Sequence, residues 1–223
     1  MVQLQPHNRL TVLLANEQEG WHQTVRRLLE PQGVETVVAQ GCRPVGQPFV
    51  VTAVDGNHVV TLGGLSALER LEEVARGMSE DEQAHLLRGL HVGIVVDERQ
   101  ERFAQGDFLV RNVLGAREVD GALAVGAAVD VGQTLQFQIR DAEAADLDLR
   151  RALAGRSASA SLLFTCTGRG HRLFGRPDHD AATVGDAFGA IPVAGGFCAG
   201  ELGPVGGRNH VHGFTASLAL FEG

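Results

Sequence analysis

The chain has 223 residues, 44% hydrophobic and 21% charged, with a formal net charge of -8. A chain of this length buries most of the surface its unfolded form exposes, and its composition is far from that of disordered proteins, so a globular fold is expected. The acidic balance, without a segregated basic cluster, removes the electrostatic footprint of a nucleic-acid binder.

Cys42, Cys166 and Cys198 form no C-x-x-C pair. Their odd number argues against a disulfide framework or a zinc knuckle and fits a reducing compartment. The N-terminal stretch lacks the long apolar core of a signal peptide, and no segment has the apolar length of a membrane helix. A cytoplasmic protein with no membrane partner is therefore expected.

In chain order, Leu10 to Ala15 predicts a strand and Glu19 to Glu30 a helix, ended by Pro31 and Gly33. "ETVVAQ" predicts a strand and "GCRPVGQP" a turn. "FVVTAV-DGN-HVVTL" then predicts a hairpin about Asp55-Gly56, a dipeptide suited to positive φ. Ser66 and Ser79 are helix caps ahead of apolar residues at helical spacing. "HVGIVV", "DFLVRNVLG", "ALAVG" and "QTLQFQIRD" are short strands. In the last, Thr134, Gln136 and Gln138 alternate with Leu135, Phe137 and Ile139, which predicts one wet face. Asp141 starts a helix with Ala145, Leu149, Ala152 and Leu153 on one side and acids toward its N-terminal half.

The last third predicts a strand from Ser161 to Thr167, a glycine loop and a helix from Asp180 to Phe188. A strand from Ile191 to Gly196, a second glycine loop and a strand from Val211 to Leu220 follow. The class is α+β (or α/β), a mixed β-sheet with packed helices that includes a C-terminal βαβ unit.

Ligands of βαβ units collect at the loop beyond a strand's C-terminal end, so both glycine loops are candidates. In "TGRGHRLFG", Gly168 and Gly170 allow close backbone approach, but the spacing matches neither nucleotide-binding glycine motif. Arg169, Arg172 and Arg176 offer planar forks for an anion; the plain alternative pairs them with Asp178, Asp180 and Glu201. Cys166, where a strand meets its loop, is either a buried thiol or a nucleophile served by His171 or His179. His210 and His212 are spaced to share one strand face, and with His171 and His179 they are the candidate metal or haem ligands. Glu201, among glycines, could receive an ammonium group.

Taken together, "GCRPVG", "GDFLVRNVLG", "VGQTLQFQIRDAEAADLDL", "LFTCTGRGHRLFGRPDHDA" and "GGFCAGELGPVGGRNHVHGFTASLALF" resemble the FIST family, named for F-box and intracellular signal transduction proteins. The resemblance implies an intracellular sensory module in signal transduction, for amino acids or similar small metabolites. It also implies signalling partners such as histidine kinases or cyclic-dinucleotide enzymes. Some relatives look like haem-binding gas sensors, which makes haem the alternative cofactor; otherwise none is expected. On this reading residues 1–36 are an unplaced strand-helix segment left from the family's N-terminal domain. Residues 37–223 are a FIST C-terminal-like sensor domain.

The expected site has Arg169 and Arg172 clamping an anionic group with the backbone of Gly168 and Gly170. Glu201, with Gly200 and Asn209, faces the cationic end, and Arg43 lies on the rim. No catalytic residue is expected; the alternative is a cysteine-dependent enzyme using Cys166.

Overall fold

The structure is a computed structural model and describes residues 33–222. The strand expected from Leu10 to Ala15 and the helix from Glu19 to Glu30 lie outside the described residues. From the start of the described part, the elements are β1 (Val34–Ala39), β2 (Arg43–Pro44), β3 (Phe49–Asp55), β4 (His58–Leu62), β5 (Leu65–Ser66), α1 (Ala67–Arg76) and α2 (Glu80–Arg88). Then come β6 (His91–Val95), β7 (Phe108–Arg117), β8 (Ala122–Val125), β9 (Thr134–Ile139) and α3 (Ala142–Leu153). β10 (Ala160–Cys166) leads through a 3-10 turn (Thr167–Arg169) into α4 (His171–Phe174) and α5 (His179–Phe188). The chain closes with β11 (Val193–Cys198), β12 (Glu201–Val205), β13 (Arg208–His212) and β14 (Ala216–Phe221).

Local chemistry sets many of these boundaries. Asp55 pairs with His58, so the hairpin turn is Gly56-Asn57, with Gly56 at φ +60°. This is one residue later than Asp55-Gly56. Ser66 and Ser79 both close capping boxes, with Glu69 and Glu82, and Asp141 caps α3 by accepting the Ala144 N–H.

Two layers follow. In the larger one, β9 pairs with β2 and β3 on one side and with β6 on the other. The ladder β3-β4-β8-β7-β6 then returns to β9, so the antiparallel strands close into a small barrel without edges in that ring. Register shifts in β3 and β7 supply the bends that closure needs. The barrel core contains Phe49, Val51, Leu62, Val92, Leu135, Phe137 and Ile139, with Val74 of α1 packed on it.

The smaller layer has the strand order β1-β14-β10-β11, in which β10 and β11 run parallel with α4 and α5 between them in sequence. Leu149 and Leu153 of α3 and Val184 of α5 cover one face through Val37, Ala39, Leu163, Leu218 and Leu220. The second glycine loop and the single strand expected from Val211 to Leu220 are corrected. The segment forms a hairpin, β12-β13, and then a separate strand, β14. The hairpin packs over β1 and β14, where the Ser217 hydroxyl donates to the Leu202 carbonyl at 2.6 Å.

The wet face expected on β9 is also corrected. Gln136 and Gln138 are buried, because the outer wall of the barrel at β9 is covered by loops and by the smaller layer. Gln136 donates to the Gly46 carbonyl at 2.8 Å, and Gln138 sits against Gly93. Gln40, just beyond β1, bonds the barrel strand β7 twice, to the Phe108 carbonyl at 2.6 Å and from the Val110 N–H at 2.8 Å. The core arithmetic is testable at Phe137, which is fully buried. Phe137→Ala should cost about 3–5 kcal/mol in urea unfolding, through lost transfer energy and the cavity left behind.

Candidate functional site

The seam between barrel and layer collects the chemistry. Its floor is the polar row of β9, Gln136 and Gln138, continued by Arg140 just past the strand, with His91 paired beside Gln138. From the layer come Cys166 and Gly168 at the end of β10, Glu201 at the start of β12, and Phe214 and Thr215 ahead of β14.

Arg169 is buried in this seam. Its Nε and Nη2 grip both oxygens of Asp180 at 2.8 and 2.9 Å, and Nη2 also reaches the Ala145 carbonyl at 3.4 Å. Burial works against the Asp180 charge, but the hydrogen bonds and charge of Arg169, with Thr165 and His179, hold its carboxyl below the usual range. Nη1 of Arg169 has no hydrogen-bond partner and lies over Gly41. A Cβ at position 41 would stand 2.6 Å from that nitrogen, and Gly41 holds φ +69°, so glycine is required twice over.

Glu201 is buried as well. Its Oε2 accepts from the Thr215 hydroxyl at 2.9 Å and the Thr215 N–H at 3.3 Å, while Oε1 has no partner. Burial raises its pKa; Thr215, the charge of Arg169 and the Cys166 side chain oppose the rise. The Cys166 N–H donates to the Thr215 carbonyl at 2.9 Å, and Thr215 in turn holds Glu201, so Cys166, Glu201 and the Arg169 that follows β10 share one neighbourhood. Cys166 accepts the Gly168 N–H at 3.4 Å, and burial pushes the Cys42 thiol up to about 12. Both cysteines are buried and free.

Two further residues complete the seam and were not singled out by the sequence. Phe214 is a non-glycine residue at φ +66°, a sparsely populated conformation. Its ring lies over Gly168, where a Cβ would meet it at 2.5 Å, and meets the His91 ring edge-on at 5.5 Å. Arg140 stacks on the same ring, its guanidinium carbon 3.5 Å from the centroid. The alternation in "TLQFQIR" was the signal that could have marked Arg140. Nothing in the sequence announces the backbone of Phe214.

The remaining expected residues lie elsewhere. Arg172 and Gly200 are exposed, and Gly170 is half-buried at the start of α4. Asn209 is half-buried opposite Pro204, toward the far end of the hairpin from the Glu201–His212 pair. Arg43 is held by Asp141 at 3.0 Å and Glu82 at 3.1 Å, which ties β2 to α2 and α3.

Of the four histidines named as haem ligands, His171 is exposed, whereas His179 stacks on Phe174 at 3.5 Å. Its Nδ1 and Nε2 are engaged by Asp180 and Asp146 at 3.1 and 2.9 Å. His210 and His212 do share β13, their rings 5.9 Å apart, and His212 Nε2 bonds the Gly203 carbonyl at 3.0 Å. Among the described residues no group of three or more His, Cys, Asp or Glu is arranged to hold a metal ion.

The fold and seam together define an α+β protein with a charged, buried junction between a closed barrel and a smaller mixed sheet. Sequence models of the FIST N domain and the FIST C domain match residues 7–65 and 67–204, and the chain belongs to the FIST family. The boundary between the matches falls at Ser66, the last residue of β5 and the cap of α1, so β1, β3 and β4 come from the N-domain match while pairing with β14, β9 and β8. The chain is 54% identical over 192 residues to uncharacterised proteins of Mycobacterium tuberculosis strain CDC 1551 / Oshkosh and Mycobacterium bovis strain ATCC BAA-935 / AF2122/97. Each match covers 83% of this chain and 50% of the relative, so the chain spans about half the length of the curated relatives it matches. Among the described residues no helix is long and apolar enough to cross a membrane.

Two measurements check this electrostatic picture. Arg169→Met should destabilise the protein by about 3–5 kcal/mol, because it strands a buried carboxylate, and Arg169→Met with Asp180→Leu should recover most of the loss. Urea midpoints of the two variants test both. Burial also lowers the pKa of His91 and of His212 to about 4. Unfolded histidines bind protons near 6.5, so stability is full above that pH and falls as pH drops from 6.5 toward 4. The slope should be up to about 1.4 kcal/mol per pH unit for each histidine. Urea midpoints between pH 7 and 5 should show the fall, and His212→Gln should make its slope shallower.

Proposed function

We propose that this chain is a noncatalytic sensory module of signal transduction that binds a small dipolar metabolite, an amino acid or a close analogue. Its expected setting is the cytoplasm, and its expected readers are signalling proteins such as a histidine kinase or a cyclic-dinucleotide enzyme. Family membership supports the sensory role. The observation that carries the ligand class is the convergence of two loops distant in sequence on one buried seam. There Arg169 and Glu201 feel each other's charge, and each keeps one polar atom without a partner.

Buried polar atoms without partners are costly, and a native protein rarely keeps several together without a use. Opposite charges in one seam suit a molecule carrying both an acid and an amine. Such a module signals when ligand binds one arrangement of the two layers more tightly than another.

The test is a thermal-shift screen of the purified chain against the standard amino acids. A true ligand at a hundredfold excess over its Kd should raise the midpoint by roughly 5–10 °C. Glu201→Gln, which still accepts the Thr215 bonds, should remove that shift. A midpoint unmoved by every amino acid would end this reading.

A further inference from the structure

We infer that Arg140, rather than Arg169 or Arg172, is the residue that receives the acidic end of the ligand, and that this end is a carboxylate. The inference rests on the dipolar-ligand reading above and assigns its anion receptor.

The three arginines differ in what already occupies them. Arg172 is exposed on α4. Two of Arg169's nitrogens are committed to Asp180, and its third is closed over by Gly41, so it serves as a fixed charge that positions its surroundings. Arg140 is different. Among the described residues it has no acidic partner, and its Nη1 is buried without a hydrogen bond. Burial lowers its pKa, and the like charge of Arg169 adds to the effect, although Cys42 and Cys166 oppose it.

A guanidinium in this position destabilises the free protein, yet the structure holds it firmly. Its plane lies on Phe214, which holds an unfavourable backbone conformation and packs its ring against Gly168 and His91. Arg140 and Phe214 are half-buried, whereas Glu201 and Arg169 are almost fully buried. Of the two seam arginines, Arg140 is the more accessible.

The charge balance selects the anion. Arg169 is neutralised by Asp180, with the buried Asp148 carboxyl also near it, and Asp141 is taken up by Arg43, so Arg140 offers a ligand one positive charge that no acid answers. One charge and a planar fork match a carboxylate, whose two oxygens accept parallel N–H donors. A dianionic phosphate would leave one charge unbalanced beside Glu201.

The experiment uses the full chain and four probes: acetate, glycine, glycinamide and inorganic phosphate. Binding is measured by calorimetric titration, and unfolding midpoints are measured without ligand. Wild type should bind glycine more tightly than acetate and should not bind glycinamide, which lacks the acid. Arg140→Gln should weaken acetate and glycine at least tenfold, with Arg140→Lys intermediate. The ligand-free midpoint of Arg140→Gln should stay close to that of wild type, since removal strands no acid and relieves repulsion with Arg169 while giving up the stacking on Phe214. Glu201→Gln should keep acetate binding and lose the preference for glycine. Unchanged acetate and glycine affinity in Arg140→Gln would overturn the assignment to Arg140 while leaving the dipolar reading intact. Equal affinity for acetate and glycine, insensitive to Glu201→Gln, would overturn the dipolar reading while leaving Arg140 as an anion receptor. Phosphate binding more tightly than acetate, or no binding of acetate and glycine by wild type, would overturn the carboxylate assignment.

Discussion

The ion pair between Arg169 and Asp180 organises the seam. A guanidinium and a carboxylate withdrawn from water must find each other in good geometry or leave a large desolvation cost uncompensated. Here the fork is bidentate, and Thr165 donates a further hydrogen bond to the acid at 2.5 Å. That requirement fixes the end of β10 against the start of α5 and draws the Gly41 turn and α3 against the same side chain. Once those elements are placed, Cys166, Gly168 and Phe214 follow, and with Phe214 the plane of Arg140.

The two layers contribute unequally. The barrel ring has no free edge, and its apolar core holds β9 rigidly, so the outward row from Gln136 to Arg140 is a stable floor. The smaller layer reaches that floor through polar contacts: Gln40 on β7, and Phe214 against His91 and Arg140. Polar and aromatic contacts between two independently packed cores are the kind of junction at which a bound charge alters the balance between arrangements. The Gly203 backbone, pressed on Val38, and Ser217 bonded to Leu202 carry the β12-β13 hairpin on the same layer. Glu201 is therefore anchored through the hairpin that follows it and through Thr215 at its carboxylate.

Some of this was legible in the residues. The sequence places arginines and acids in the same loop, and the plain alternative that they pair with one another describes Arg169 and Asp180. It does not describe Arg172, which is free of that pairing because it sits on the exposed side of α4. The glycine-rich character of the segment after β11 suggested a loop, yet the residues from Glu201 to His212 pair as a hairpin. Glycine there serves close packing on β1 and the turn at Gly206-Gly207. On β9 the alternation was correct and the inference of a wet face was not. Polar side chains face water only when no second layer lies above them.

What the sequence determined by itself was local: the caps at Ser66, Ser79 and Asp141, the hairpin beside Gly56, the alternation of β9 and the family motifs. Each depends on side chains within a few residues of one another, where backbone preference and hydrogen-bond reach decide the outcome. Tertiary structure alone decided that β9 closes a barrel and that Glu201 and Arg169 share a buried seam. It alone decided that Arg140 stands there on Phe214 without an acid. Those outcomes depend on which distant surfaces exclude water together, and burial, which sets the cost of every charge in the seam, is a property of the assembled layers and of no single segment.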